Sequence, residues 1–424
     1  MRLLFNLVFV IFAIFYLPYL VITRRYRYGM ANRFGFLSER LRSISSGRKI
    51  IWIHAVSFGE MKAASILAPL LRRTFPQHTL LFSSVTHTGN KVARAIATAE
   101  EDVFYLPFDI SFITDKVVRT IKPALFLSLE AELWPNLIDS LYRCNATIVL
   151  VNGRISNRSY RGYKKIGFII SSILSKISLI LMQSEQDAAR VLTLGAPKEK
   201  VFVTGNLKFD LSLTDPESKR REVRERLRIR DEEILLTAGS TNKGEEEQLI
   251  DCFSRLKKDY SGLRFLIAPR HIERTQELKQ LLTRKGFKSV RFSQIDNSQL
   301  TDECVFMLDT LGDLKMIYSG SDIVFVGGSL VKKRGGQNPI EPASLSKPVI
   351  MGKFMANYQD AVMSFLENHA AIQVGNKDEL YSAIKLLLDN PKERKRLGIN
   401  AKDTVAKNSG SSRRTIELIR NLLK

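Results

Sequence analysis

The chain has 424 residues, 45% of them hydrophobic and 25% charged, which excludes a disordered polymer, a collagen and a coiled-coil rod. Lys and Arg number 65 against 43 Asp and Glu, so the net charge is +22, and anionic partners are expected: nucleic acid, an acidic membrane surface or phosphorylated substrates. Cys144, Cys252 and Cys304 are far apart and odd in number, so neither a disulfide framework nor a Cys-based zinc module is indicated, and a reducing compartment is the default.

Residues 3–22 are a 20-residue run without a charge. That length suffices to cross about 30 Å of hydrocarbon. It exceeds the apolar region of a cleaved signal peptide and ends in a basic flank. Residues 24–49 hold eight Lys and Arg against the single acid Glu39. We therefore expect a retained anchor over residues 1–23, with the remainder of the chain in the cytoplasm. An interfacial helix that never crosses is the alternative.

After residue 49, short apolar runs alternate with helix-length stretches. The runs are 49–56, 79–85, 103–108, 124–129, 147–152, 179–184 and 201–206, then 234–240, 264–270, 304–309, 322–329 and 348–352. This spacing predicts parallel βαβ units, and the lack of alternation predicts strands covered on both faces. The charge-dense stretch 211–233 reads as a connector or an exposed helix. We expect two Rossmann-like α/β domains, 24–210 and 234–424, with a cleft between them. Residues 390–424 carry ten Lys and Arg against three acids and read as a solvated helical face. No G-x-G-x-x-G follows the first strand, and no P-loop, H-E-x-x-H or strand-end Asp-x-Asp is present. A nicotinamide dehydrogenase, a P-loop ATPase, a catalytic zinc site and a metal-gripping glycosyltransferase are all disfavoured, and no metal is expected.

Unusual residues gather at the predicted carboxyl ends of strands, where parallel sheets bind ligands. In His54–Glu60 (HAVSFGE), Ser57 and Glu60 have the spacing of a capping box, while Glu60 is equally a candidate general base. Glu130 and Glu132 lie two apart before Trp134-Pro135, and share one face if the strand continues. Against that, Glu132 can simply cap the next helix. Lys208 follows another strand and is either an anion-stabilising cation or a surface Lys in a turn. In the second half, Pro269-Arg270, Leu311-Gly312-Asp313, Gly327-Gly328-Ser329 and Asn338-Pro339-Ile340-Glu341 form a candidate nucleotide site. Its glycines would let backbone amides approach a phosphate. Thr86–Gly89 and Gly239–Thr241 read as helix caps.

Taken together, these motifs resemble the bacterial 3-deoxy-D-manno-octulosonic acid (Kdo) transferases that act on lipid A precursors. The carrying elements are the apolar N-terminus, His54–Glu60, Glu130–Asn136 (EAELWPN), Asn152–Ser156, Gly205–Asp210 (GNLKFD), Pro269–His271, Gly327–Ser329 and Gly336–Glu341 (GQNPIE). Their order and spacing hold over nearly the whole chain. Ala131 stands where the family usually has Thr, and Gly153 where it often has Ala. The resemblance implies a GT-B fold, with the acceptor in the first domain, the donor CMP-Kdo in the second, and a C-terminal helix crossing back onto the first. It implies Glu60 as general base, Glu130 and Lys208 as transition-state stabilisers, and Pro269, Arg270, Leu311, Gly312, Asp313, Asn338, Pro339, Ile340 and Glu341 as CMP contacts. It implies CMP-Kdo, a lipid A precursor and an anionic inner-membrane surface as partners, and no cofactor. Two rivals are a GT-B transferase or epimerase using another nucleotide sugar, and a basic nucleic-acid binder. The second lacks any helix-turn-helix, zinc finger or aromatic-basic RNA motif.

Overall fold

The computed structural model describes residue 6 and residues 29–130, 132–210, 216–297, 301 and 304–423. Apart from Asn6, the apolar run expected as an anchor lies outside the described residues. No helix among the described residues is long and apolar enough to cross a membrane. The chain forms two compact units, Met1–Asp210 with Ser409–Lys424, and Leu211–Asn408.

The first unit is built on a parallel seven-stranded sheet. Its strands are β1 (Lys49–His54), β2 (His78–Ser84), β3 (Asp102–Tyr105), β4 (Leu125–Leu129), β5 (Thr147–Gly153), β6 (Leu179–Met182) and β7 (Val201–Val203), in the order β3-β2-β1-β4-β5-β6-β7. The unalternating runs are explained by burial on both faces. Ile50, Trp52, Phe126, Ile148 and Leu150 enter one core layer, while Ile51, Ile53, Leu125, Leu127, Val149 and Val151 enter the other. Trp52 crosses Phe126 edge-on at 5.0 Å and donates its indole N–H to Ser83 Oγ at 2.7 Å, so its one polar atom is satisfied inside the core. The strand order reverses between β1 and β4. His54 and Ser128 stand side by side in their register, so the chain leaves both strands at the same place.

The second unit repeats the plan. Strands β8 (Ile234–Thr241), β9 (Leu263–Pro269), β10 (Ser289–Arg291), β11 (Val305–Met307), β12 (Ile323–Val326), β13 (Val349–Gly352) and β14 (Ala371–Val374) run in the order β10-β11-β9-β8-β12-β13-β14. Here the reversal falls between β8 and β12. The two strands absent from the sequence reading, β10 and β14, are the edges of this sheet. Edge strands bury less, and all three residues of β10 are only half-buried, so no apolar run marks it.

The charged stretch after residue 211 contains a helix, Pro216–Arg226. Val223 and the following Leu227 are buried in the second unit, and Arg224 pairs with Asp322 at 2.8 Å. The basic C-terminal stretch forms two helices, Pro391–Asn408 and Ser411–Leu422. The last is not wholly solvated: Ile416 and Ile419 complete the core layer that also holds Met61, Ala64, Leu67 and Leu71 of the Phe58–Thr74 helix. Asp210 accepts from Gly410 N at 2.6 Å and Ser412 N at 2.5 Å, which satisfies two of the amides at the start of this last helix. Thr86 caps the His87–Ile96 helix as expected. Thr241 does not cap; its hydroxyl donates to Glu246 instead.

Candidate active site

At the reversal of the first sheet, three strand ends deliver charged side chains to one place. β1 runs into Ser57, whose Oγ accepts from Glu60 N at 3.4 Å and donates to Glu60 Oε1 at 2.7 Å. Val56 N donates to Glu60 Oε2 at 2.7 Å. The capping box is therefore real, and it fixes the rotamer of Glu60 at 8% exposure. Burial and the nearby Glu130 raise the proton affinity of Glu60, partly opposed by the bonds from Ser57 and Val56.

β4 does not continue into Glu130. That residue takes a left-handed conformation, φ 59°, and ends the strand, so the two glutamates are brought together by a turn rather than by a pleat. Lys208 Nζ lies 3.5 Å from Glu130 Oε1, both side chains being largely buried. Lys208 is thus not a surface Lys. A short 3-10 turn, Leu207–Asp210, places it there, and Asn152 Oδ1 pins that turn by accepting from Leu207 N at 2.9 Å.

Glu132 does not cap the following helix, Pro135–Arg143. Asp109 does so, accepting from Asn136 N at 3.1 Å and Leu137 N at 2.8 Å. Burial, with Glu60 and Glu130 close by, pushes the Glu132 carboxyl up to about 7. His54, fully buried and bonded to Ser83 Oγ at 2.9 Å, is pushed down to about 3 and is neutral. Sequence reasoning singled out Glu132 as a partner of Glu130 or as a cap of the next helix. The ownership of the helix cap by Asp109, 27 residues away from Asn136, carried no local signal.

The second sheet presents its own strand ends. Pro269 closes β9 opposite Thr241, and Arg270 N donates to Thr241 O at 2.8 Å. Leu311, at 80% exposure, and Gly312, with φ 97°, lie in the loop after β11, and Asp313 precedes the Leu314–Gly320 helix. Asn338 Oδ1 accepts from Ile340 N at 3.0 Å at the start of the five-residue helix Ile340–Ser344, which Glu341 enters from its first turn. Tyr318, buried beneath these loops, has its phenol pushed upward by burial and by the charge of Glu341. It stands so close to Gly239 that a Cβ there would lie 1.9 Å from its hydroxyl, which is why β8 carries a glycine at that position.

One expectation is corrected. The Gly327–Ser329 turn does not offer its amides to a phosphate. The buried carboxylate of Glu245 takes them, accepting from Gly328 N at 2.5 Å, Ser329 N at 3.2 Å and Leu330 N at 3.4 Å, and from Asn242 N at 2.7 Å. The nest is real, and its anion is a side chain.

Residues 28–211 match the family model described as 3-Deoxy-D-manno-octulosonic-acid transferase (kdotransferase), and residues 219–404 match that of glycosyl transferases group 1. The chain is similar to a 3-deoxy-D-manno-octulosonic acid transferase of Haemophilus influenzae, 36% identical over 94% of this chain and 92% of the relative. It is similar to the enzyme of the same description in Chlamydophila psittaci, 31% identical over 87% and 84%. Among solved structures it shares the fold of the UDP-GlcNAc 2-epimerase from Neisseria meningitidis, with TM-score 0.59 and 14% identity over 88% of this chain and 99% of that one. A glycosyltransferase from Rickettsia africae gives TM-score 0.58 and 17% identity over 89% and 99%.

Proposed function

This chain belongs to the 3-deoxy-D-manno-octulosonic acid transferase family of glycosyltransferases, and from that premise we propose that it moves Kdo from CMP-Kdo to a hydroxyl of a lipid A precursor such as lipid IVA. Transfer inverts the anomeric centre, needs no metal and serves the inner core of lipopolysaccharide. The observation that carries this reading is the meeting of Glu60, Glu130 and Lys208 at the reversal of the first sheet.

The acceptor oxygen attacks the anomeric carbon as its proton passes to Glu60. The bond from that carbon to the phosphate oxygen breaks, and CMP leaves with the electron pair. A buried carboxylate whose proton affinity is raised, and whose position is fixed by two hydrogen bonds, suits a general base. Glu130 stabilises the oxocarbenium character that develops at the anomeric carbon, and Lys208 stabilises developing negative charge. Pro269, Arg270, Leu311, Gly312, Asp313, Asn338, Pro339, Ile340 and Glu341 hold the CMP moiety. The +22 charge and the apolar run at residues 3–22 support a place on the cytoplasmic face of the anionic inner membrane.

The test is transfer itself. Purified protein, a tetra-acylated lipid A precursor and CMP-Kdo are mixed in EDTA, and the lipid products are weighed by mass spectrometry. Increments of one or more Kdo masses are expected. A folded protein that binds CMP yet adds no mass overturns the assigned sugar or acceptor.

A further inference from the structure

Glu132 is held differently from its two neighbours. Glu60 receives Ser57 Oγ and Val56 N, and Glu130 has Lys208 beside it. The recorded bond of Glu132 is at its backbone, where its carbonyl accepts from Ser128 Oγ at 3.1 Å. Because Asp109 caps the next helix, the Glu132 carboxyl is not spent there either. The groups that act on it come from three elements: Glu60 from the first turn after β1, Glu130 from the turn after β4, and the Tyr163 phenol from the Asn157–Lys165 helix. Lys208 reaches the cluster through Glu130.

Three carboxyls share this partly desolvated site with one ammonium. Like charges at close range cannot all stay ionised, and the cluster titrates as a unit. The proton settles where the anion gains least from its surroundings. Glu60 is stabilised by two donors and Glu130 by a cation; the charges acting on Glu132 are both negative.

We propose that Glu132 is the proton-holding member of the cluster: in the resting enzyme it carries the shared proton, which keeps one negative charge out of a site that must admit anionic substrates. It is a positioning residue, acting through Glu60 and Glu130. Its effect on catalysis rests on the Kdo-transfer reading; the held proton itself does not.

The first measurement needs no substrate. A carboxyl whose folded proton affinity exceeds its unfolded value binds more proton in the folded state between the two ionisations, so its contribution to stability is lost as pH rises through that window. The melting temperature of Glu132→Gln, relative to wild type, should therefore climb between about pH 5 and about pH 8 and level off beyond. In a Glu60→Gln background, which removes a negative neighbour, the same climb should move to lower pH. A difference that does not vary with pH means that Glu132 is ionised throughout, and overturns the proposal.

The second measurement is the pH profile of transfer. Wild-type kcat/KM for CMP-Kdo should fall about tenfold per pH unit above neutrality, carried in KM, as the extra charge forms. Glu132→Gln should lack that limb. A limb that persists in Glu132→Gln overturns the assigned effect on substrate admission. Absence of Kdo transfer by the wild type overturns the functional reading and leaves the stability arm to judge the proton.

Discussion

Ser57 and Glu60 exchange hydrogen bonds at the start of a helix, and the same carboxylate is coupled to Glu130. The structural and chemical roles of this pair are separable by substitution. Ser57→Ala should cost about 0.5–2 kcal/mol as a lost cap. Because the Ser57 bond holds the proton affinity of Glu60 down, its loss should also move the acid limb of transfer to higher pH, with transfer persisting. Glu60→Ala should instead abolish most transfer while CMP binding, measured by calorimetry, survives. Were turnover to persist in the folded Glu60→Ala enzyme, the base role would be lost and only the cap would remain. In the second unit, Glu341→Ala should weaken CMP binding, and an unchanged affinity would remove Glu341 from the nucleotide site.

At the scale of elements, the central strands were legible because each buries two faces and therefore carries an uninterrupted apolar run. β1, β4, β8 and β12, which flank the two reversals, are of this kind. The strand-end positions of Glu60, Glu130 and Lys208 followed from the same reading. What stayed hidden depends on partners distant in the chain. β10 and β14 are short edges, β10 with three half-buried residues and β14 with an exposed Gln373 breaking its apolar run. Glu245 reaches amides 83 to 85 residues away, so nothing local distinguished it from any acid near a helix start. Its effect should be large. Glu245→Ala strands several amides in a buried turn, at about 1–3 kcal/mol for each one left without a partner. Chemical denaturation should show that loss, with the second unit melting first. Asp109→Ala tests the other hidden partner. It should cost about 0.5–2 kcal/mol, the range for a helix cap, read as a lower denaturation midpoint.

At the scale of the whole molecule, the division of the chain matters more than its length. Residues Ser409–Lys424 belong to the first unit although nearly all of that unit precedes residue 211. Deleting them removes Ile416 and Ile419 from the core, at about 1.5–3 kcal/mol for each such side chain, and takes away the partners of Asp210, two residues from Lys208. The expected outcome is a first unit that melts early and a loss of transfer, with CMP still bound by residues 211–408. The break in the chain also fixes a schedule. The second unit is an insertion between Asp210 and Gly410, which are hydrogen-bonded neighbours. Its roughly 200 residues must be synthesised before the closing helix exists, and at about 5–20 residues per second that is a delay of roughly 10–40 s. Throughout that interval the apolar layer around the Phe58–Thr74 helix lacks its cover, so the part made first is the part finished last.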